Sequence, residues 1–158
     1  MSSAGSRRYT TQTRQGRLRP MAIYEHLRDL PLTIDDYGLE PLRLDVSSEF
    51  TRHTTVIRLR GDGHEGVGED VTYDAEDQLA LQEEGPTLPL AGSHTIDSFS
   101  QLVDRLSLFP GGPSRDDWVN YRRWAYESAA LDLALRQAGR RSPPRPAASR
   151  DRSRSSSR

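Results

Sequence analysis

The chain has 158 residues, of which 34% are hydrophobic and 28% charged, with a net charge of −1. That length suits one domain, and the apolar share is too low for every segment to enter a core. No apolar run approaches the roughly 20 residues that span a bilayer, the basic N-terminus lacks the apolar stretch of a secretory signal, and the absence of cysteine removes disulfides and thiolate metal sites, so a cytoplasmic location is expected.

In chain order, residues 1–20 read as a disordered basic arm. They are Ser, Thr, Gln, Gly and Arg with almost nothing apolar, and residues 1–19 carry a charge of +5. Such a segment cannot offset its ordering entropy by burial. Residues 21–139 read as one acidic domain, since positions 20–138 sum to −12. Leu42, Leu44 and Val46 alternate with Arg43 and Asp45, the pattern of a half-buried strand. Thr55, Ile57 and Leu59 share one face of a second strand. Asp62-Gly63 is a two-residue hairpin signal. A third strand follows, with Glu65, Val67, Glu69 and Val71 on one face and Gly66, Gly68 and Asp70 on the other. Two glycines on one strand face permit close approach by another backbone.

Three helices are predicted next. Asp74 caps the first, Glu76 and Asp77 suit its positive end, and Gly85 ends it. The second starts near Thr95, aligns Ile96, Phe99, Val103 and Leu106 in one stripe, and is stopped by Pro110-Gly111-Gly112-Pro113. The third, capped by Ser114 and ended by Gly139, runs from Asp116 to Ala138, about 34 Å. Trp118, Ala125 and Ala129 lie on one side of it, and Trp124, Leu131 and Leu135 on another, so an apolar face is expected to stay bare. A three-stranded antiparallel meander followed by a three-helix subdomain is an α+β fold. Residues 140–158 read as a disordered Arg/Ser/Pro-rich tail, positions 139–158 carrying +6.

Every one of the 22 basic residues is Arg, as a GC-rich coding sequence would give, so the Arg excess is partly codon bias. The same reasoning suggests a frameshift or truncation in the tail: Arg-Ser-Ser-Ser read two bases on can encode Val-Val-Val. Met21 is then a plausible start.

The chemical constellations are weak. His64, Glu65, Glu69 and Asp70 suggest a metal cluster, but strand alternation puts Glu65 and Glu69 on one face and His64 and Asp70 on the other. His53 lacks a Cys or a G-x-S-x-G elbow to serve. The glycines at 61, 63, 66 and 68 lack the Gly-Lys-Ser/Thr ending of a phosphate loop. Trp118, Tyr121, Trp124 and Tyr126 beside Arg115, Arg122 and Arg123 could stack on bases, yet helical spacing favours packing. The Arg-rich arms could bind nucleic acid or acidic partners by charge.

Three patterns point further. They are Arg52-His53-Thr54-Thr55-Val56-Ile57-Arg58-Leu59, Gly63-His64-Glu65-Gly66-Val67-Gly68-Glu69, and Glu127-Ser128-Ala129-Ala130-Leu131-Asp132. In this order and spacing, over residues 32–139, the chain resembles the N-terminal capping domain of the enolase superfamily, in its mandelate racemase and muconate-lactonizing enzyme group. The resemblance implies that a (β/α)-barrel would supply the Mg²⁺ ligands and the Lys or His bases. The parent reaction would be α-proton abstraction from a carboxylate substrate, as a racemase, cycloisomerase or dehydratase. This chain has no Lys and no acidic trio beyond Gly139. It is therefore expected to be a truncated capping domain, inactive alone, holding no cofactor or catalytic residue of its own. Its expected partners are the missing barrel or a second copy through the bare face, not a membrane; nucleic acid is disfavoured. The resemblance further implies two substrate-covering loops, Ser47, Ser48, Glu49, Phe50, Thr51 and Arg52, and then Asp70, Val71, Thr72 and Tyr73. The alternative is a small interaction protein that works through its Arg-rich arms.

Overall fold

In a computed structural model the chain is described over residues 21–140, and both Arg-rich arms fall outside the described residues. The alternating segment from Asp36 to Ser47 (β2) pairs antiparallel with Phe50–Gly61 (β3), and β3 pairs antiparallel with His64–Asp70 (β4), in the order β2-β3-β4. The turn between β3 and β4 is Asp62-Gly63. Both residues have positive φ, 51° and 72°, as a tight hairpin turn requires. Four helices accompany this meander: α2 (Ala75–Glu84), α3 (Ile96–Arg105), α4 (Trp118–Arg140), and a short N-terminal helix α1 (Met21–Leu27). The fold is α+β. Two further strands, β1 (Pro31–Ile34) and β5 (Gly92–Thr95), form a separate antiparallel pair.

The close approach read from the glycines is where the layers meet. A Cβ at Gly68 would lie 2.9 Å from the Ala129 nitrogen and nearer still to the Ala125 carbonyl oxygen. One at Gly66 would lie 2.5 Å from the Leu133 Cβ and nearer to the Ala129 oxygen. The α4 backbone therefore rests directly on β4, and Ala125, Ala129 and Leu133 are buried there. On the same side of the sheet Ile57 and Leu59 join Leu32, Ile34, Phe99, Val103 and Tyr126 in one core. Gln137 of α4 fastens the edge of that core. Its side chain accepts from Thr33 N at 3.0 Å and donates to the Thr33 and Gly61 carbonyls at 2.7 and 3.0 Å.

Helix α2 follows its signals. Asp74 accepts from the Asp77 backbone N–H at 3.0 Å, and Gly85, at φ 74°, ends the helix. Thr95 and Ser98 cap α3 reciprocally.

Four expectations are corrected. Leu42, Leu44 and Val46 are in a strand, but they are exposed, not half-buried, because Leu42 and Leu44 pair with Thr54 and Arg52 on the sheet face opposite the one that carries Ile57, Leu59 and the helices. Helix α3 stops at Arg105, well before Pro110, and Leu106 is already extended. That break carries Leu108 and Phe109 into the core, which a continuing helix could not do. Ser114 does not cap α4. Its hydroxyl donates to the Asp77 carboxylate at 2.7 Å instead, so Asp116 and Asp117 form turns and the helix begins at Trp118. Gly139 lies inside α4, where nothing crowds it and its φ is not positive. Elements α1, β1 and β5 were not foreseen: they are short, and their partners are distant in sequence.

Candidate functional site

The site is built at the free end of the long hairpin. β4 pairs only with the inner part of β3, from Gly61↔His64 to Thr55↔Asp70. Beyond Asp70 the chain leaves the sheet and passes the outer part of β3. Tyr73 thereby stacks on Phe50, with ring centroids 6.2 Å apart and an interplanar angle of 14°. The Arg52 guanidinium lies over the same Tyr73 ring, 5.1 Å from its centroid, a cation–π arrangement. Phe50 and Tyr73 are nevertheless exposed. Two segments distant in the sequence thus form one aromatic and cationic rim.

The ten residues expected at this place take different positions. Ser47 ends β2, Ser48 and Glu49 make the turn, and Phe50, Thr51 and Arg52 begin β3. The first segment is a tight hairpin tip. Thr51 donates to the Asp45 carboxylate at 2.8 Å, and Arg43 stands 3.3 Å from it. The Thr51 hydroxyl first, then Arg43, hold the Asp45 carboxyl below the usual carboxylate range. In the second segment Val71 is half-buried and Tyr73 exposed. Asp70 and Thr72 are fully inside. Asp70 accepts from the Arg122 Nε at 2.6 Å and from the Thr72 backbone and hydroxyl at 2.9 and 2.6 Å.

Arg122 is the residue that sequence reasoning misplaced among surface cations. It is completely buried, lies 3.7 Å from the Phe109 ring centroid, and donates to the Leu108 and Asp77 carbonyls at 3.0 and 2.9 Å. Each of its three nitrogens donates to a named acceptor, and Asp70 compensates the charge in the interior. The signal was in the sequence: Arg122 is four residues after Trp118 and three before Ala125, on the buried side of α4. Gln78 adds to the same network. It accepts from the Thr55 hydroxyl at 2.7 Å and donates to the Asp70 and Thr72 carbonyls at 3.0 and 3.2 Å. The 70–73 connection is therefore anchored from beneath while Tyr73 faces outward.

Beside the rim, the uncovered sheet face forms an open recess of about 430 Å³, lined by Leu42, Leu44, Arg52, Thr54, Glu69 and Val71. The Thr54 hydroxyl donates to Glu69 at 2.8 Å. Apolar contact, the Arg43 and Arg52 guanidiniums, one hydroxyl and one carboxylate are the chemistry of binding and of excluding water.

Other candidate residues are apart from it. His53 lies in β3 opposite Arg43. His64 sits at the far hairpin turn, Glu65 bonds to Arg58 at 2.8 Å, and Asp70 is held by Arg122. Among the described residues no group of three His, Asp or Glu is placed to hold a metal ion. Tyr126 is buried, and its environment pushes the phenol well above its ordinary range. Trp118, Tyr121 and Trp124 form a ladder on α4, with centroids 5.4 and 5.7 Å apart and Arg115 over Trp118. Among the described residues no helix is long and apolar enough to cross a membrane.

Residues 25–143 match the family described as a domain of unknown function (DUF8230), N-terminal domain, and the chain belongs to that family. No curated protein and no solved structure matches the chain.

Proposed function

We propose that this DUF8230 N-terminal domain is a capping module of the kind found in the enolase superfamily: it covers a small carboxylate substrate held on a separate (β/α)-barrel and performs no chemistry itself. The observation that carries the reading is the rim at the end of the hairpin. Phe50, Arg52 and Tyr73 come from the two segments that the resemblance makes substrate-covering, and they stack on one another at an exposed edge. A buried ion pair and a glutamine beneath them hold that edge in place. Preorganised covering groups lose little entropy on closing over a ligand and keep water from it.

Further support comes from the order of elements, a three-stranded meander followed by helices, with the last and longest helix laid on two strand glycines. The family's description as an N-terminal domain suits a module that precedes another. In this reading the Mg²⁺ ligands and the bases would belong to the barrel, where the metal would supply Lewis-acid polarisation of the substrate carboxylate.

The test is α-proton exchange in D₂O with Mg²⁺ and a panel of 2-hydroxy and dicarboxylic acids. The chain alone should give no exchange. Added to an enolase-superfamily (β/α)-barrel freed of its own capping domain, it should raise exchange of at least one acid. Turnover by the chain alone, or a barrel indifferent to it, would contradict the reading.

A further inference from the structure

The outer side of α4 carries a second pattern, unrelated to the hairpin rim. Tyr121, Trp124, Ser128, Leu131, Leu135 and Ala138 are spaced three, four, three, four and three residues apart. This is the alternation of a helix seam that faces another helix. The core does not use it: Trp124 is 57% exposed and Leu135 50%. The sheet takes the opposite side of α4, through Ala125, Ala129 and Leu133. Along one flank of the seam lies an open apolar groove of about 350 Å³, whose far wall is Tyr24, Ile96 and Phe99 of α1 and α3.

We propose that this face is the interface of a homodimer, in which α4 of one copy packs antiparallel on α4 of the other. Three observations select a second copy as the occupant. The seam is self-complementary: turning it end for end about a two-fold axis sets Tyr121 against Ala138, Trp124 against Leu135 and Ser128 against Leu131. Each layer joins a larger residue to a smaller one, and each residue's partner is itself in the seam, as an isologous contact requires. The charges that border the seam are neutralised within each copy, Arg123 by Glu127 at 3.0 Å and Asp132 by Arg136 at 2.9 Å. These bordering charges therefore set no like charge of one copy against the other along the seam, and they offer a polyanion no excess positive charge. The area is also sufficient. A strip along the seam about 26 Å long and 10 Å wide gives only about 260 Å² per copy. The groove wall on α1 and α3 brings this to about 520 Å² per copy, or roughly 1,040 Å² in all, which reaches the roughly 1,000 Å² of a weak specific interface.

The test is sedimentation velocity on the full chain across about 1 to 200 μM, the span in which a modest interface populates both states. The wild-type chain should pass from monomer to dimer. Leu135→Arg and Trp124→Ser, both at exposed positions, should raise the dissociation constant by about tenfold or more, while circular dichroism and melting stay native. The orientation is read separately by crosslinking, because the chain has no cysteine of its own. Tyr121→Cys mixed with Ala138→Cys should form a disulfide-linked pair, while Tyr121→Cys alone should not, since the two copies of position 121 would stand about 26 Å apart. A chain that stays monomeric at the highest concentration, a dimer insensitive to both substitutions, or self-crosslinking of Tyr121→Cys would overturn the proposal.

Discussion

Replacing Gly68 by alanine should damage the domain more than its single added methyl suggests. The new Cβ would sit 2.9 Å from the Ala129 nitrogen and 3.0 Å from the Ala125 carbonyl carbon, with the carbonyl oxygen nearer still. Ordinary contact for such atoms is about 3.5 Å, so α4 would have to lift from β4 by on the order of an ångström. Both neighbours are backbone and cannot rotate away. The helix also carries Tyr126, Ala130 and Leu133 into the core, with Arg122 onto Asp70, so lifting it loosens these contacts together. Overpacking costs about 1–3 kcal/mol where side chains can adjust, and a rigid backbone clash belongs at or above the top of that range, about 3 kcal/mol. In a domain whose total stability is about 5–15 kcal/mol this is a large fraction. Urea denaturation measures it, with Gly139→Ala as control. Gly139 lies in the same helix with open space around it, so alanine there should stabilise by about 0.5–1 kcal/mol. A Gly68→Ala midpoint within about 1 kcal/mol of wild type, after conversion by the slope, would refute the close packing of α4 on β4.

Arg122→Met should cost about 3–5 kcal/mol by leaving Asp70 charged and unpaired in the interior. Arg122→Lys should recover only part of this, because an ammonium cannot reach three acceptors in the plane of a guanidinium; adding Asp70→Asn to Arg122→Met should restore stability relative to the single variant, and chemical denaturation checks all three. Acid should weaken the fold in a defined window. The Asp77 backbone N–H holds the Asp74 carboxyl, and Arg136 the Asp132 carboxyl, below the ordinary value of 3.8. A depressed carboxylate contributes stability above its unfolded value and loses it as pH falls through the folded one. Melting temperature should therefore stay level from neutral pH to about 5 and fall below about 4, and Asp74→Asn should flatten that fall in a pH series.

The local parts of the fold were legible because short-range chemistry decides them. Asp62-Gly63 can hardly be anything but a tight turn, Asp74 and Gly85 bracket α2, and Thr95 starts α3. Gly66 and Gly68 even announced a backbone contact, though not with which element. Long-range competition hid the rest. Ser114 has the right chemistry for a cap, but Asp77, 37 residues away, takes its hydroxyl. Leu42, Leu44 and Val46 alternate as a covered strand does, yet what covers a strand is a tertiary fact, and the helices pack on the other face of this sheet. Of the candidate site, the resemblance singled out the two segments, and their contact is what the structure adds. The Phe50–Tyr73 stack was not legible, because it depends on β4 ending where β3 continues. Nor was the burial of Asp70, which needed Arg122 from a helix 52 residues on.

The most direct test of the capping role reads α-deuterium incorporation by the barrel in the presence of this chain, wild type against Tyr73→Ala and Arg52→Ala. Both side chains are exposed or lie at the rim and support no core contact, so the variants should fold as the wild type does. The account predicts that each variant raises KM for the carboxylate by about tenfold, the usual effect of one lost charged or aromatic contact, with the barrel's own metal binding unchanged. Exchange that proceeds with the same KM whether the rim is intact, altered or missing would contradict it.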